Sequence, residues 1–266
     1  MVVHYYVVEG GIRVYHEPEL DGGGTTFGQM YVPILRRLGL GGSCYEPFSG
    51  PAFIGFSLLG AGVCDELVVS DVNPKAIDYV KLTVKLNDLD DRVRYYLSNL
   101  LEGIPRDLKF DLVIANPPHF KDLSFCRKYG CSDIDILKTL DREFKMHRGF
   151  YHGIAGYLKP NGNIVLVENS EGSSPEDFIP MITESGLRYK GTIIPSSEDA
   201  MYALKVHVKN WAIKYLEDVS NGGFYRLIKQ LIFLKSPNTI LKHTPIPSIR
   251  RFVKEMQKFY FIWSGV

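Results

Sequence analysis

The sequence predicts an α/β fold in which a mostly parallel sheet carries helices on both faces and ends in an antiparallel strand. Three observations predict it. From residue 43 onward, short apolar runs alternate with segments of helical period, the sequence form of strand–helix–strand units. The ends of these runs are marked by Glu46, Asp71, Asn99 and Asn116, polar groups where strand ends meet a ligand. The 266 residues are 45% apolar and 23% charged, enough for one sizeable core, which excludes a disordered tail, a collagen-like fibre and a disulfide-stapled miniprotein.

Residues 1–16 alternate and are rich in Val and Tyr, with Gly10 and Gly11 at the turn, and predict a small hairpin. Residues 30–38 form a helix on the face shared by Met30, Ile34, Leu35 and Leu38, stopped by the glycines after it. Strands follow at 44–48, 66–70, 92–97, 110–115 and 163–168. Helices are expected at 51–59, at 73–87 with Pro74 in its first turn, at 147–158 and at 179–185. Residues 189–194 and 201–208 read as a final antiparallel pair, and 224–234 and 249–262 as tail helices. The expected organisation is an N-terminal hairpin and cofactor-covering segment (1–42), a main domain (43–210) and a basic, mainly helical extension (211–266).

Lys and Arg total 31 against 30 Asp and Glu, so a net charge of +1 provides no global field for a polyanion. The charge is unevenly spread: residues 211–266 carry a net +6 and residues 1–210 a net −5. The tail helices either pack on the main domain with their lysines in water or form a substrate lid or a surface for an acidic partner. Four cysteines without CxxC spacing and no signal-peptide pattern lead to the expectation of reduced thiols and a cytoplasmic protein. The longest apolar run, 13 residues at 52–64, is too short for the roughly 20 that span a bilayer. The histidines are scattered, and no metal site is expected.

The most specific segment is 111–120, a buried strand ending in Asn116-Pro117-Pro118-His119. Two consecutive prolines fix two backbone angles and remove two donors, so the Asn116 and Pro117 carbonyls are held in one geometry. An amino group placed there donates one hydrogen to the Asn116 side-chain oxygen and one to the Pro117 carbonyl. Its nitrogen lone pair then points at an electrophile. The plainer reading is a loop that ends a strand. Glu46 ends the first strand of the main domain and Gly50 lies in the turn after it, Asp71 follows the second strand where an acid meets ribose hydroxyls, and Asn99 follows the third where it meets a base edge.

These residues resemble the class I S-adenosylmethionine-dependent methyltransferases, a Rossmann-like group, and within them the amino-methyltransferases with an Asn-Pro-Pro-aromatic motif. Glu46-Pro-Phe-Ser-Gly50 is similar to the opening motif of the adenine and cytosine amino-methyltransferases. Asp71-Val-Asn-Pro-Lys-Ala76 with Leu86-Asn87 is similar to the glutamine N5- and guanine N2-methyltransferases. The resemblance covers roughly residues 44–168 and implies the cofactor S-adenosylmethionine. It implies that Glu46, Phe48, Ser49, Gly50 and Pro51 line the methionine end, Asp71 holds the ribose, Val72 packs on adenine, and Asn99 and Leu100 meet its edge. Asn116, Pro117 and Pro118 then orient the nucleophile, and Phe27 and Gln29 wall the site in the alternative to a plain glycine linker. Phe48 and Ala52 stand where the family has glycine, which implies a tighter turn. His119 stands where the family has a stacking aromatic, and is a weaker stacking partner, a proton acceptor near neutral pH or a solvent-facing loop histidine.

The expected reaction is N-methylation of an amino or amide nitrogen. The near-neutral catalytic half favours a small molecule or amino acid derivative as substrate. RNA bases or a protein glutamine, reached through the basic tail, are the alternatives, as is a non-methyl use of the sulfonium such as cyclisation. A non-catalytic cofactor-binding scaffold is the rival from another class, and it has no need of a rigid nucleophile clamp.

Overall fold

The computed structural model describes residues 4–218 and 249–266. Strands β1 (His4–Val7) and β2 (Arg13–His16) form the expected antiparallel hairpin, with Tyr5 opposite Tyr15. Helix α1 (Tyr31–Leu38) follows, then β3 (Gly42–Glu46), α2 (Phe53–Gly60), β4 (Cys64–Asp71), α3 (Pro74–Leu86), β5 (Val93–Leu97) and β6 (Phe110–Ala115). After α4 (Ser124–Tyr129), α5 (Asp133–Thr139) and α6 (Lys145–Ile154) come β7 (Leu158–Asn169), α7 (Pro175–Glu184) and β8 (Arg188–Ile193). The described chain closes with α8 (Ser197–Asp218), α9 (Ile249–Met256) and β9 (Phe259–Gly265).

Among the described residues seven strands make one sheet in the order β5-β4-β3-β6-β7-β9-β8, parallel except for β9, which runs antiparallel to both neighbours. The central strands are buried on both faces. Leu112 and Ile114 of β6 point into one core with Phe56 and Leu67, while Val113 and Ala115 point into the other with Phe110, Phe150 and Phe178. Such strands read as continuous apolar runs, which is why β6 and β7 are legible in the sequence. The strand order reverses between β3 and β6, so the chain leaves their carboxyl ends in opposite directions and opens a crevice there.

The hairpin is docked on the main domain. Gly10 and Gly60 meet so closely that a Cβ on Gly10 would lie 2.6 Å from the Gly60 carbonyl oxygen. The Asn87 side chain, at the end of α3, accepts from Arg13 N (2.9 Å) and donates to Arg13 O (3.0 Å).

Three expectations are corrected here. Residues 201–208 belong to α8, which starts from a capping box: Ser196 Oγ accepts from Asp199 N (3.2 Å), and Asp199 accepts from Ser196 N (2.8 Å). Asp199 also takes a bidentate contact from Arg37 (2.9 and 3.0 Å), which pins α8 to α1. The expected helix at 249–262 stops at Met256, and the remainder is a sheet strand whose Phe261 and Ile262 are fully buried. Residues 259–265 thus belong to the sheet, and the expected helix at 224–234 lies outside the described residues. The cysteines are paired rather than reduced: Cys44 with Cys64 (Cα–Cα 5.7 Å) and Cys126 with Cys131 (5.0 Å). Cys44 and Cys64 sit on adjacent parallel strands, a neighbourhood that sequence spacing does not reveal. Among the described residues no helix is long and apolar enough to cross a membrane.

Because β9 lies between β7 and β8, deleting residues 259–266 removes three buried apolar side chains (Tyr260, Phe261 and Ile262) at about 1.5–3 kcal/mol each and splits the sheet. The expected result is loss of the cooperative thermal transition followed by circular dichroism; removal of a mere appendage would leave that transition in place.

Candidate active site

The crevice at the carboxyl ends of β3, β4 and β6 holds a cavity of about 630 Å³. Its floor begins with Glu46, the last residue of β3. The turn after it curls back over the strand ends: Ser49 N donates to Ser70 O (3.0 Å) and Gly50 N to Asp71 Oδ2 (2.8 Å). This curl needs left-handed backbone at Phe48 (φ 54°), Gly50 (φ 51°) and Ala52 (φ 63°). Phe48 and Ala52 adopt it at a cost of about 1–2 kcal/mol each, so the missing glycines change the strain of the turn rather than its conformation.

Glu46 is fully buried, and its Oε2 accepts from Gly55 N (2.7 Å). Burial pushes its carboxyl up to about 8; the Gly55 N–H opposes this, and the nearby Asp71 charge adds to it. Asp71 accepts from Gly50 N and from Asn73 N (both 2.8 Å), and burial raises it despite those bonds. A carboxylate has about four lone-pair sites, so acceptor capacity remains for a ligand. Val72 and Leu100 give the cavity apolar sides, with Asn99 between them in the lining.

On the opposite wall, the end of β6 is fixed by the Tyr31 hydroxyl, which lies 2.6 Å from Ala115 O and 3.0 Å from Val165 O. Asn116 Nδ2 donates to Gly22 O (2.9 Å). Its Oδ1 is buried without a hydrogen-bond partner, a state that costs about 1–3 kcal/mol unless a ligand supplies the donor. An orphaned acceptor on a residue that lines, with two strand-end acids, an apolar-sided cavity fits a nucleoside-bearing cofactor and a substrate N–H.

Glu46, Phe48, Ser49, Gly50, Pro51, Asp71, Val72, Asn99, Leu100, Asn116 and Pro118 all line the cavity. Pro117, His119, Phe27 and Gln29 do not. The segment singled out before α1 does cover the site, but through Glu19, Leu20, Gly22 and Gly24. Gln29 is buried behind it, donating to Gly24 O (2.8 Å) and accepting from Ser57 Oγ (2.9 Å). Phe27 stacks on Phe259 with ring centroids 4.0 Å apart. His119 is neither solvent-facing nor a stacking wall: it is buried, with Nδ1 3.3 Å from Glu168 Oε2. Sequence reasoning missed Leu137, Lys138 and Met146, which line the far side from α5 and α6, because residues 121–146 show no clear period.

Residues 46–128 match the family model of the methyltransferase small domain. The chain is 33% identical over 78 residues to a release factor glutamine methyltransferase of Aquifex aeolicus, covering 29% of this chain and 27% of that one. It is 36% identical over 75 residues to one of Clostridium acetobutylicum, covering 28% and 26%. It thus spans about a quarter of the length of these curated relatives. An S-adenosylmethionine-dependent methyltransferase of Clostridium acetobutylicum of known structure superposes with a TM-score of 0.50 at 7% identity, covering 90% of both chains. The resemblance to the class I methyltransferases is borne out, and the fold is their Rossmann-like one.

Gly55 leaves no room for a side chain: a Cβ there would lie 2.5 Å from Glu46 Oε2 and 2.8 Å from both Leu67 methyl carbons. Gly55→Ala is expected to cost about 1–3 kcal/mol, read as a lower urea midpoint at unchanged slope. Gly156→Ala, where a Cβ meets nothing within 4 Å, is expected to stay within about 0.5 kcal/mol of the parent.

Proposed function

We propose that this chain is an S-adenosylmethionine-dependent N-methyltransferase and that its acceptor is the side-chain amide of a protein glutamine. The unpartnered, buried Asn116 Oδ1 on a proline-fixed strand end carries the reading, because it is an acceptor waiting for an N–H. The small-molecule substrate favoured by the near-neutral charge is not supported, whereas the relatives named above act on release factor glutamine. A glutamine side chain is itself neutral and needs no cationic funnel.

When bound, S-adenosylmethionine supplies a methyl group on a sulfonium. The chain's residues align and polarise. Glu46 and the 48–51 turn take the methionine end, Asp71 the ribose, and Val72, Asn99 and Leu100 the adenine. Asn116 Oδ1 accepts a hydrogen of the acceptor amide; the Pro117 carbonyl, expected to take the other, does not line the cavity. That polarisation concentrates a lone pair which resonance otherwise delocalises. Transfer of that methyl to the amide nitrogen would leave S-adenosylhomocysteine, and the proton that the nitrogen gives up would pass to water.

The test is incubation of the chain with S-adenosylmethionine and glutamine-bearing proteins, with product analysis. S-adenosylhomocysteine and a one-methyl mass increase on a glutamine side chain are expected. Methylthioadenosine would instead mean attack on the aminoalkyl chain, and absence of cofactor binding would end the reading. Asn116→Ala is expected to lower turnover by about 10²-fold or more while cofactor affinity by calorimetry changes by less than about threefold.

The Glu46 carboxyl, at about 8 in the free protein, is largely protonated at pH 7. A sulfonium or ammonium beside it favours the ionised form, so cofactor binding releases a proton below pH 8. Affinity for S-adenosylmethionine is therefore expected to rise from pH 6 to 8, by up to about tenfold per pH unit, and to level off above. In Glu46→Gln that slope disappears.

A further inference from the structure

Four titratable side chains that no step above uses lie together beneath the Asn-Pro-Pro turn. Glu168 of β7, His147 of α6 and Asp141 are 0%, 1% and 2% exposed, and His119 is 7% exposed. His147 bridges the two acids: Nδ1 lies 2.8 Å from Asp141 Oδ2 and Nε2 lies 2.9 Å from Glu168 Oε1. The other Glu168 oxygen lies 3.3 Å from His119 Nδ1. The string closes on itself through the backbone, because Asp141 N donates to Phe120 O (2.8 Å) and Phe120 follows His119.

We propose that Glu168 is a positioning residue of this site, fixing the Asn116–Pro117–Pro118 turn through His119 within a closed ring formed with His147 and Asp141. The ring reaches the cavity at two points. His119 is bonded to Pro118, and Asp141 accepts from the N–H of Met146 (2.9 Å); both Pro118 and Met146 line the cavity. His119 is boxed by the rings of Phe27, Phe120 and Phe259 at 6.1, 6.4 and 6.1 Å, so ring packing sets its place and Glu168 sets its rotation. Buried charges persist only when paired, which makes the ring intolerant of losing one member.

The charge state agrees with the geometry. Burial alone would lower the His147 imidazole; the Glu168 and Asp141 carboxylates override it and raise it to about 9. Burial would raise Glu168, and the two histidines hold it below its usual value instead. Tyr31 from α1, Tyr151 from α6 and Tyr260 from β9 also face Glu168, and all three are raised further from ionisation, so none competes for the charge. The sign follows: the His147 contribution is complete below pH 6.5 and is lost as pH rises through about 9, and that of Glu168 is lost as pH falls through its lowered value.

The test uses the full chain with Glu168→Gln, which keeps the shape, and His119→Phe, which fills the aromatic box without a bond to Glu168. Amide hydrogen exchange, thermal unfolding, calorimetric binding of S-adenosylmethionine and methyl transfer to a glutamine substrate are measured. Expected is amide exchange at least about tenfold faster at Asn116, His119 and Phe120, the residues of this turn that carry a backbone N–H, with cofactor affinity within about threefold. Turnover is expected to fall about 10- to 100-fold at little-changed KM, and the double variant to lose no more than either single one. The alkaline limb of turnover near pH 9 is expected to move to lower pH in Glu168→Gln, where His147 has lost one of its carboxylates. Unchanged exchange at Asn116, His119 and Phe120, or losses that multiply in the double variant, would overturn the proposal. If Glu168→Gln does not fold, His119→Phe decides alone by the same exchange criterion. The turnover arm rests on the methyltransferase reading, but the exchange arm needs no methyl acceptor, so failure of one is distinguishable from failure of the other.

Discussion

The site depends on a single amide whose two ends are treated differently. Asn116 Nδ2 is tied to Gly22 O, so the side chain cannot turn, and Oδ1 is left buried without a donor. Neither half of this arrangement forms without the strand end being fixed. Tyr31 supplies that by placing its hydroxyl between the Ala115 and Val165 carbonyls, and the prolines at 117 and 118 deny the following chain any ladder bond. The Gly22 loop in turn is held from behind by Gln29 through Gly24 O. A residue that reads as a cavity wall in the sequence is thus the brace of the wall.

Legibility in the sequence follows physical type. The parallel strands from β3 to β7 are short runs buried on both faces, and their ends carry polar groups that a ligand crevice requires, so strands and strand-end residues are both readable. Side-chain direction is not readable. Phe27 and Gln29 lie within five residues of Gly24, yet only the glycine lines the cavity, because Phe27 stacks on Phe259 from the far end of the chain. His119 was readable as a motif position but not as a buried ion-pair partner, since Glu168 and His147 are distant in sequence and the ring exists only after β7 pairs with β6.

The C-terminal strand shows the same limit at the level of topology. Residues 249–258 are basic and helical in period, and the apolar run after them continues that pattern without a break. What makes 259–265 a strand is the unsatisfied edge between β7 and β8, each of which pairs with β9 over most of its length. Tertiary demand for backbone hydrogen bonds outweighs local period in this segment. Part of the basic surface assigned to an appendage is accordingly anchored to the core: Lys258 reaches Glu171 (3.5 Å) and Glu255 (2.9 Å) at the start of β9.

Glu46 and Glu168 bring the electrostatics of the molecule into one comparison. Both are fully buried carboxyls at the carboxyl ends of parallel strands, and burial raises both. Glu168 has an imidazolium at 2.9 Å and a second histidine at 3.3 Å, and it stays ionised. Glu46 has a single backbone N–H and a neighbouring acid, and it is held near 8. The difference is one cation. Where the chain supplies that cation, the acid is locked into the scaffold beneath the Asn-Pro-Pro turn; where the chain withholds it, at the cavity, the missing positive charge is left for a ligand to bring.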